Sequence, residues 1–235
     1  MYILEGNIGV GKSTFIQKIK QYLPELEVLT EPVDNWTNQI FGQSLLENFY
    51  KDTSRWAYTL ENLAMIQRTK DHIEIQKNKN PKIVVERSIY SGHYCFARNS
   101  FENGHLAKIE WNIYQKWADF LIKNCQTPSG FLYLKANPEV CFERIKKRNR
   151  MSEKKLTLAY VKQIDQWHEK FLVKKEEIHK NLKNIPVLQI DCNTDFENNP
   201  KILKKHLEQI NNFINDTILD TKAILEKTAF FEQNL

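Results

Sequence analysis

The chain has 235 residues, 41% of them apolar and 27% charged, and a formal net charge of +5. That length suits one sizeable hydrophobic core and is short for two, and no apolar run approaches the 18 residues a membrane span needs. The basic excess is modest and mixed with acids, as in Lys174-Lys175-Glu176-Glu177, so it reads as solvated helix surface, not as a nucleic-acid face.

In chain order, short β-branched runs alternate with longer amphipathic stretches. Strands are expected at Tyr2–Glu5, Glu27–Thr30, Ile83–Glu86, Phe131–Leu134 and Val187–Asp191. Between them helices are expected at Lys12–Tyr22, Ser54–Gln76, Ile109–Lys123, Pro138–Lys147 and Thr157–Asn181, with a last one from Pro200. Asn137-Pro138 is a start signal, a cap residue followed by proline at the first helical position. The alternation predicts an α/β fold with a central five-stranded parallel sheet flanked by helices. A single domain over residues 1–216 is expected, with 217–235 as a tail or helix extension. The first residues already read as a strand, which leaves no room for a targeting segment in the chain as given. Cys95, Cys125, Cys141 and Cys192 are scattered without a CxxC pair, so reduced thiols in a cytoplasmic protein are expected.

The segment Gly6-Asn7-Ile8-Gly9-Val10-Gly11-Lys12-Ser13 fits GxxxxGK[ST] at every fixed position. A strand precedes it and a helix follows. Its glycines let consecutive N–H groups turn inward around phosphate oxygens, and the helix N-terminus adds partial positive charge. Lys12 would reach the β and γ phosphates, and Ser13, with Thr14 behind it, would offer a hydroxyl to Mg²⁺. The motif establishes a nucleotide triphosphate site without saying which acceptor is used.

Ligands of parallel sheets sit at the carboxyl ends of strands, where Glu31 and Glu86 fall. An alcohol attacking phosphorus needs a base or orienting group at its oxygen, and the triphosphate needs a held metal. Glu31 suits the first task and Glu86 the second. Arg87 would neutralise and orient this pair or approach the reacting oxygens.

Three motifs then become specific: Glu5-Gly6-Asn7-Ile8-Gly9, Glu31-Pro32-Val33 with Trp36, and Glu86-Arg87-Ser88-Ile89-Tyr90-Ser91. In order and spacing they closely resemble the deoxynucleoside kinase family, over Met1 to about Phe196. The resemblance implies an ATP- and Mg²⁺-dependent enzyme that phosphorylates the 5′-hydroxyl of a deoxynucleoside, and a homodimer. It implies Glu31 as general base supported by Arg87, Glu86 assisting magnesium, and Tyr50 with Glu153 at the sugar 3′-hydroxyl. Trp36 and Phe96 would flank the base. Arg148 and Arg150 resemble the lid arginines that close over the transferring phosphoryl group. Arg144 lies one turn before Arg148, on the same helical face, and is assigned to the nucleotide. Asp195-Phe196 resembles the end of the loop that holds the adenine.

Two positions depart from the family pattern. Glu61 stands where most relatives carry a glutamine that reads the base edge. An ionised glutamate only accepts, which suits the paired donors of guanine, whereas a protonated one mimics glutamine. Arg68, seven residues on, would instead engage Glu61 and share the base. Gly92 stands where the cytidine- and guanosine-type members carry aspartate and the thymidine-accepting ones a small residue. The base therefore stays open between thymidine or another pyrimidine and guanine. The rival activity is a nucleoside monophosphate kinase of thymidylate kinase type, against which Glu31 argues, because a carboxylate repels an acceptor phosphate. A non-catalytic nucleotide switch would bind ATP without acceptor-dependent ADP release.

Overall fold

The computed structural model describes residues 1–31, 44–78 and 80–233, with side chains to residue 221. Trp36, Pro32 and Val33 lie outside the described residues. The first strand, β1 (Tyr2–Gly6), is buried along its whole length. It is followed by α1 (Lys12–Tyr22), β2 (Glu27–Leu29), α2 (Leu45–Lys51), α3 (Thr53–Ile75) and β3 (Ile83–Glu86). A helix α4 then runs continuously through Ile89–Ser91, Gly92–Ala97 and Arg98–Glu102, its middle part in wide π turns. After α5 (Lys108–Asn124) come β4 (Gly130–Lys135), α6 (Pro138–Arg148), a 3₁₀ turn at Met151–Glu153, α7 (Leu158–His168), β5 (Val187–Asp191) and α8 (Pro200–Gln233).

All five strands pair in parallel in the order β2-β3-β1-β4-β5. Such a sheet is covered on both faces, which explains the near-continuous apolar strands. Side chains alternate across it. Tyr2 and Leu4 join Phe15, Ile16 and Ile19 of α1 and Ile210 and Ile214 of α8 on one face. Ile3 joins Tyr90, Phe131, Tyr133 and Phe171 on the other. The register sets Leu4 beside Glu86 and Gly6 beside Leu134, so the phosphate loop and the end of β3 emerge at the same edge.

The expected strands and the helix starts at Lys12 and Pro138 agree with the structure, and Pro138 does occupy the first turn of α6 behind Asn137. The helix expected over Thr157–Asn181 does not persist. After α7 the chain widens into π turns over Glu169–Lys174 and stops at Lys175, whose φ is 54°. A left-handed lysine there is held by its own ammonium, which donates to the carbonyls of Lys183 at 2.7 Å and Ile185 at 2.8 Å. Lys175, Glu176 and Glu177 thus lie beyond the helix instead of on its surface. Helix α2 was not expected, although Ser44 three residues before Glu47 is a start signal, and the Ser44 hydroxyl accepts from Glu47 N–H at 3.3 Å. At the far end α8 runs through residue 216 without a break. Among the described residues no helix is long and apolar enough to cross a membrane.

Candidate active site

The phosphate loop leaves β1 with Gly6 at φ 150° and passes through Gly9 at φ 79°. A side chain on Gly6 would start 2.5 Å from the Leu134 carbonyl, and one on Gly9 would run into the Cys141 carbonyl. Positive φ and close backbone approach together explain why glycine stands at both positions. Asn7 ties the loop down, donating from Nδ2 to the Val161 carbonyl at 2.9 Å and accepting from Ile8 N–H at 2.8 Å. Behind the loop, Phe196 packs edge-on against Phe15 and fills the space beside Gly11. Phe196 is buried, which makes it a support for the loop from below. Asp195 is exposed and caps the turn before α8 through Glu197 and Asn198.

The Lys12 ammonium is buried and donates to the carbonyls of Gly6 at 3.1 Å and Asn7 at 2.9 Å. Burial, then the Arg87 guanidinium, push its pKa down to about 7. Ser13 Oγ donates to Glu86 Oε1 at 3.0 Å, and Glu31 N–H lies 3.4 Å from Glu86 Oε2. Hydroxyl and carboxylate form a hard-oxygen pair of the kind Mg²⁺ uses when most of its ligands are phosphate and water. Among the described residues no cluster of three acids, histidines or cysteines could hold a metal unaided.

Glu31 faces the same cleft as Lys12 and Ser13, and both of its carboxylate oxygens are held. Arg68 on α3 donates to Oε1 through Nε at 3.0 Å and Nη2 at 2.6 Å. Arg87 approaches Oε2 with Nε at 3.3 Å. Arg87 sits at φ 63°, left-handed for a residue with a side chain. Such a backbone is costly and persists only where surrounding contacts hold it. Here its N–H bonds to the Leu4 carbonyl at 2.9 Å, and its guanidinium lies 4.6 Å over the Phe96 ring.

The cleft is open on one side and walled by α2, α3, α4 and the segment after α6. Tyr50, Glu61, Phe96, Arg148, Arg150 and Glu153 all line it. Glu153 pairs with Arg148 Nη2 at 2.5 Å and Arg150 Nη1 at 3.2 Å. The Tyr50 phenol is pushed upward in pKa by burial and then by the Glu153 charge. Glu61 is 4% exposed and accepts from Ser100 Oγ at 3.3 Å. Burial raises its pKa to about 8 against the opposing pull of Arg68, a shift that favours the protonated acid, which offers one donor and one acceptor. Gly92 has no side chain and faces Arg68. Arg144 lies outside this wall, donating to the Val10 carbonyl at 3.1 Å and so joining α6 to the loop. Thr14 is half-buried at the start of α1 and does not line the cleft.

Sequence reasoning missed Glu5, which is fully buried, accepts from Ser88 Oγ at 2.6 Å and has its pKa raised by burial. It also missed Leu46, Phe49, Leu60 and Tyr160 on the cleft wall; the start signal at Ser44 is what would have led to the first two. His93 stacks on Trp111 with ring centroids 5.8 Å apart. Burial lowers its pKa to about 4, which keeps it neutral.

A family model described as "Deoxynucleoside kinase" matches residues 2–215. The chain is 39% identical over 220 residues to a mitochondrial deoxyguanosine kinase of Xenopus laevis, covering 83% of this chain and 82% of that one. It is 34% identical over 236 residues to deoxycytidine kinase 2 of Gallus gallus, covering 90% and 89%. A probable deoxycytidine kinase of fowlpox virus is 33% identical over 214 residues, covering 91% and 87%.

Proposed function

The chain belongs to the deoxynucleoside kinase family, and from that premise we propose that it moves the γ-phosphate of ATP onto the 5′-hydroxyl of a deoxynucleoside, with Glu31 receiving the hydroxyl proton. One observation carries the assignment of Glu31: its carboxylate faces the cleft that Lys12 and Ser13 also line, held from two sides by Arg68 and Arg87. The 5′-oxygen attacks the γ-phosphorus, the bond to the β–γ bridging oxygen breaks, and ADP leaves. The proton passes from the attacking oxygen to Glu31. Phosphoryl transfer of this kind rests on positioning and charge stabilisation more than on covalent chemistry.

Lys12, Arg148 and Arg150 supply positive charge around the transferring group. Tyr50 and Glu153 hold the sugar 3′-hydroxyl, and because Glu153 pairs with both lid arginines, it joins the sugar site to the phosphate site. Phe96 stacks against the base and Glu61 reads its edge. Ser13 and Glu86 would hold Mg²⁺, which would offset the charge of the phosphates during transfer.

An acceptor monophosphate would need unpaired arginines. Those lining the cleft have carboxylate partners, Arg68 and Arg87 at Glu31 and Arg148 and Arg150 at Glu153, which favours a neutral hydroxyl. The test is ATP-dependent ADP release with thymidine, deoxycytidine, deoxyadenosine and deoxyguanosine in parallel with their monophosphates. Release that ignores the nucleosides, or is faster with monophosphates, refutes the reading.

A homodimer is the assembly we propose. Ile109, Ile113, Trp117 and Phe120 of α5 are 69%, 43%, 54% and 57% exposed and fall within a quarter-turn stripe at helical spacing. Ile66 is likewise exposed on α3, which packs against α5. A second copy of the same stripe would bury these residues in a self-complementary interface. The four buried, unpaired cysteines suit a reducing compartment, for which we propose the cytoplasm.

A further inference from the structure

Side chains alternate along β1, so Glu5 follows Ile3 onto the sheet face built of Tyr90, Phe131, Tyr133 and Phe171. The carboxylate is fully buried there. Burial raises its pKa, and the Arg87 charge and the Ser88 hydroxyl offset that only in part. Its Oε2 has no hydrogen-bond partner among the described residues. An apolar side chain would suit such a face better, so the packing of the core does not account for an acid at this position.

What the acid holds is the start of α4. The β1–β3 register runs to Leu4 beside Glu86, and Arg87 N–H then donates to the Leu4 carbonyl at 2.9 Å. One residue further along each strand, Ser88 Oγ donates to Glu5 Oε1 at 2.6 Å. A hydroxyl has one proton to give. With that proton on Glu5, the Ser88 oxygen turns its lone pairs to the N–H groups of Tyr90 at 3.1 Å and Ser91 at 3.4 Å and caps the helix. On one side of this bond the chain runs from Glu5 into Gly6, whose carbonyl accepts from the Lys12 ammonium. On the other, α4 carries Phe96 on the cleft wall and Ser100 against Glu61.

We propose that Glu5 is a positioning residue which, through its hydrogen bond from Ser88, fixes the acceptor wall on α4 at a set distance from the phosphate loop. Attack in line with the leaving oxygen depends on that distance, and a misplacement of about 1 Å costs about 100-fold in rate. This rests on the proposed phosphoryl transfer to a nucleoside. It gives the buried acid a part in the rate and none in the binding of either ligand.

The test uses the whole chain and two readouts: ADP release with the deoxynucleoside that the native chain turns over fastest, and the slower release with water as the sole acceptor. Glu5→Met puts an apolar chain of similar length on the apolar face. It should lower the nucleoside-dependent kcat about 100-fold and leave both KM for ATP and release to water unchanged, so the ratio of the two rates falls. Glu5→Gln keeps an oxygen facing Ser88 and should stay within about five-fold of the native kcat, the difference between a charged and a neutral acceptor. Ser88→Ala should match Glu5→Met, and the two together should add less than about two-fold, because they break the same bond. If Glu5→Met does not fold, the same ratio measured on Ser88→Ala decides. A fall of both rates together marks a general loss of folded enzyme and overturns the proposal, as do a native kcat in Glu5→Met or additive losses. Glu5→Gln as slow as Glu5→Met places the effect in the charge instead of the hydrogen bond and overturns it too. A native chain that phosphorylates no deoxynucleoside overturns the transfer reading itself, and this inference with it.

Discussion

Replacing Glu61 with glutamine keeps the size and shape of a buried side chain and removes only its proton equilibrium. The site raises the pKa from 4.5 to about 8, so it disfavours the carboxylate by roughly 5 kcal/mol. The groups around it are Arg68 on α3, Ser100 on α4, and Tyr50, Tyr114 and Tyr160 on α2, α5 and α7. Burial raises all three tyrosines, so below pH 9 none of them changes charge. The sign follows from proton binding. Below about pH 4.5 the acid is neutral in folded and unfolded chains alike. Between 4.5 and 8 the unfolded chain has released a proton that the folded chain keeps, and each pH unit removes about 1.4 kcal/mol of stability. Above 8 the loss is complete. Glu61→Gln escapes it, so its advantage in urea unfolding should widen by about 2–3 kcal/mol from pH 6 to pH 8.5. Comparing the two proteins at each pH cancels every other titrating group. Specificity should move with it: at pH 6.5 the variant and the native chain should rank the four deoxynucleosides alike. At pH 8.5 the native chain alone should shift toward deoxyguanosine, whose paired donors suit a carboxylate. A stability gap that stays constant across this range, or a ranking indifferent to pH, would refute the reasoning.

Glu31→Gln should lower kcat by roughly 10²–10⁴-fold and leave KM for ATP unchanged in steady-state assays. Lys12→Met should abolish transfer yet stabilise the fold. Its lowered pKa means the buried ammonium is disfavoured below pH 7, so the gain should be full at pH 6.5 and shrink as pH approaches 10.5. Gly9→Ala forces a side chain into a left-handed position facing the Cys141 carbonyl; loss of nucleotide binding by calorimetry and a stability cost of about 1–3 kcal/mol are expected. Trp117→Glu with Phe120→Glu should convert a dimer to monomer in sedimentation, without changing the circular dichroism spectrum.

Local chemistry made much of this protein legible in advance. The phosphate loop needs glycine where φ is positive, a strand before it and a helix after it, and those constraints act over a dozen neighbouring residues. The parallel sheet announced itself because strands covered on both faces must be apolar. Glu31 and Glu86 could be placed at one edge of the sheet because strand ends in such a sheet share one side. What a local pattern could not carry were relations across the fold. The run at Lys174–Glu177 has a helical composition, but Lys175 leaves the helix to bind carbonyls eight and ten residues on. Phe196 read as part of an adenine loop, and packing turned it inward against Phe15. Glu61 was visible as a departure from the family pattern, and its composition alone left the base open between an ionised and a neutral acid. Burial among α2, α3, α4, α5 and α7 favours the neutral form, because desolvation is a property of everything that surrounds a group. The pairing of Arg68 with Glu31 depends in the same way on segments far apart in sequence, which meet only when the sheet is assembled.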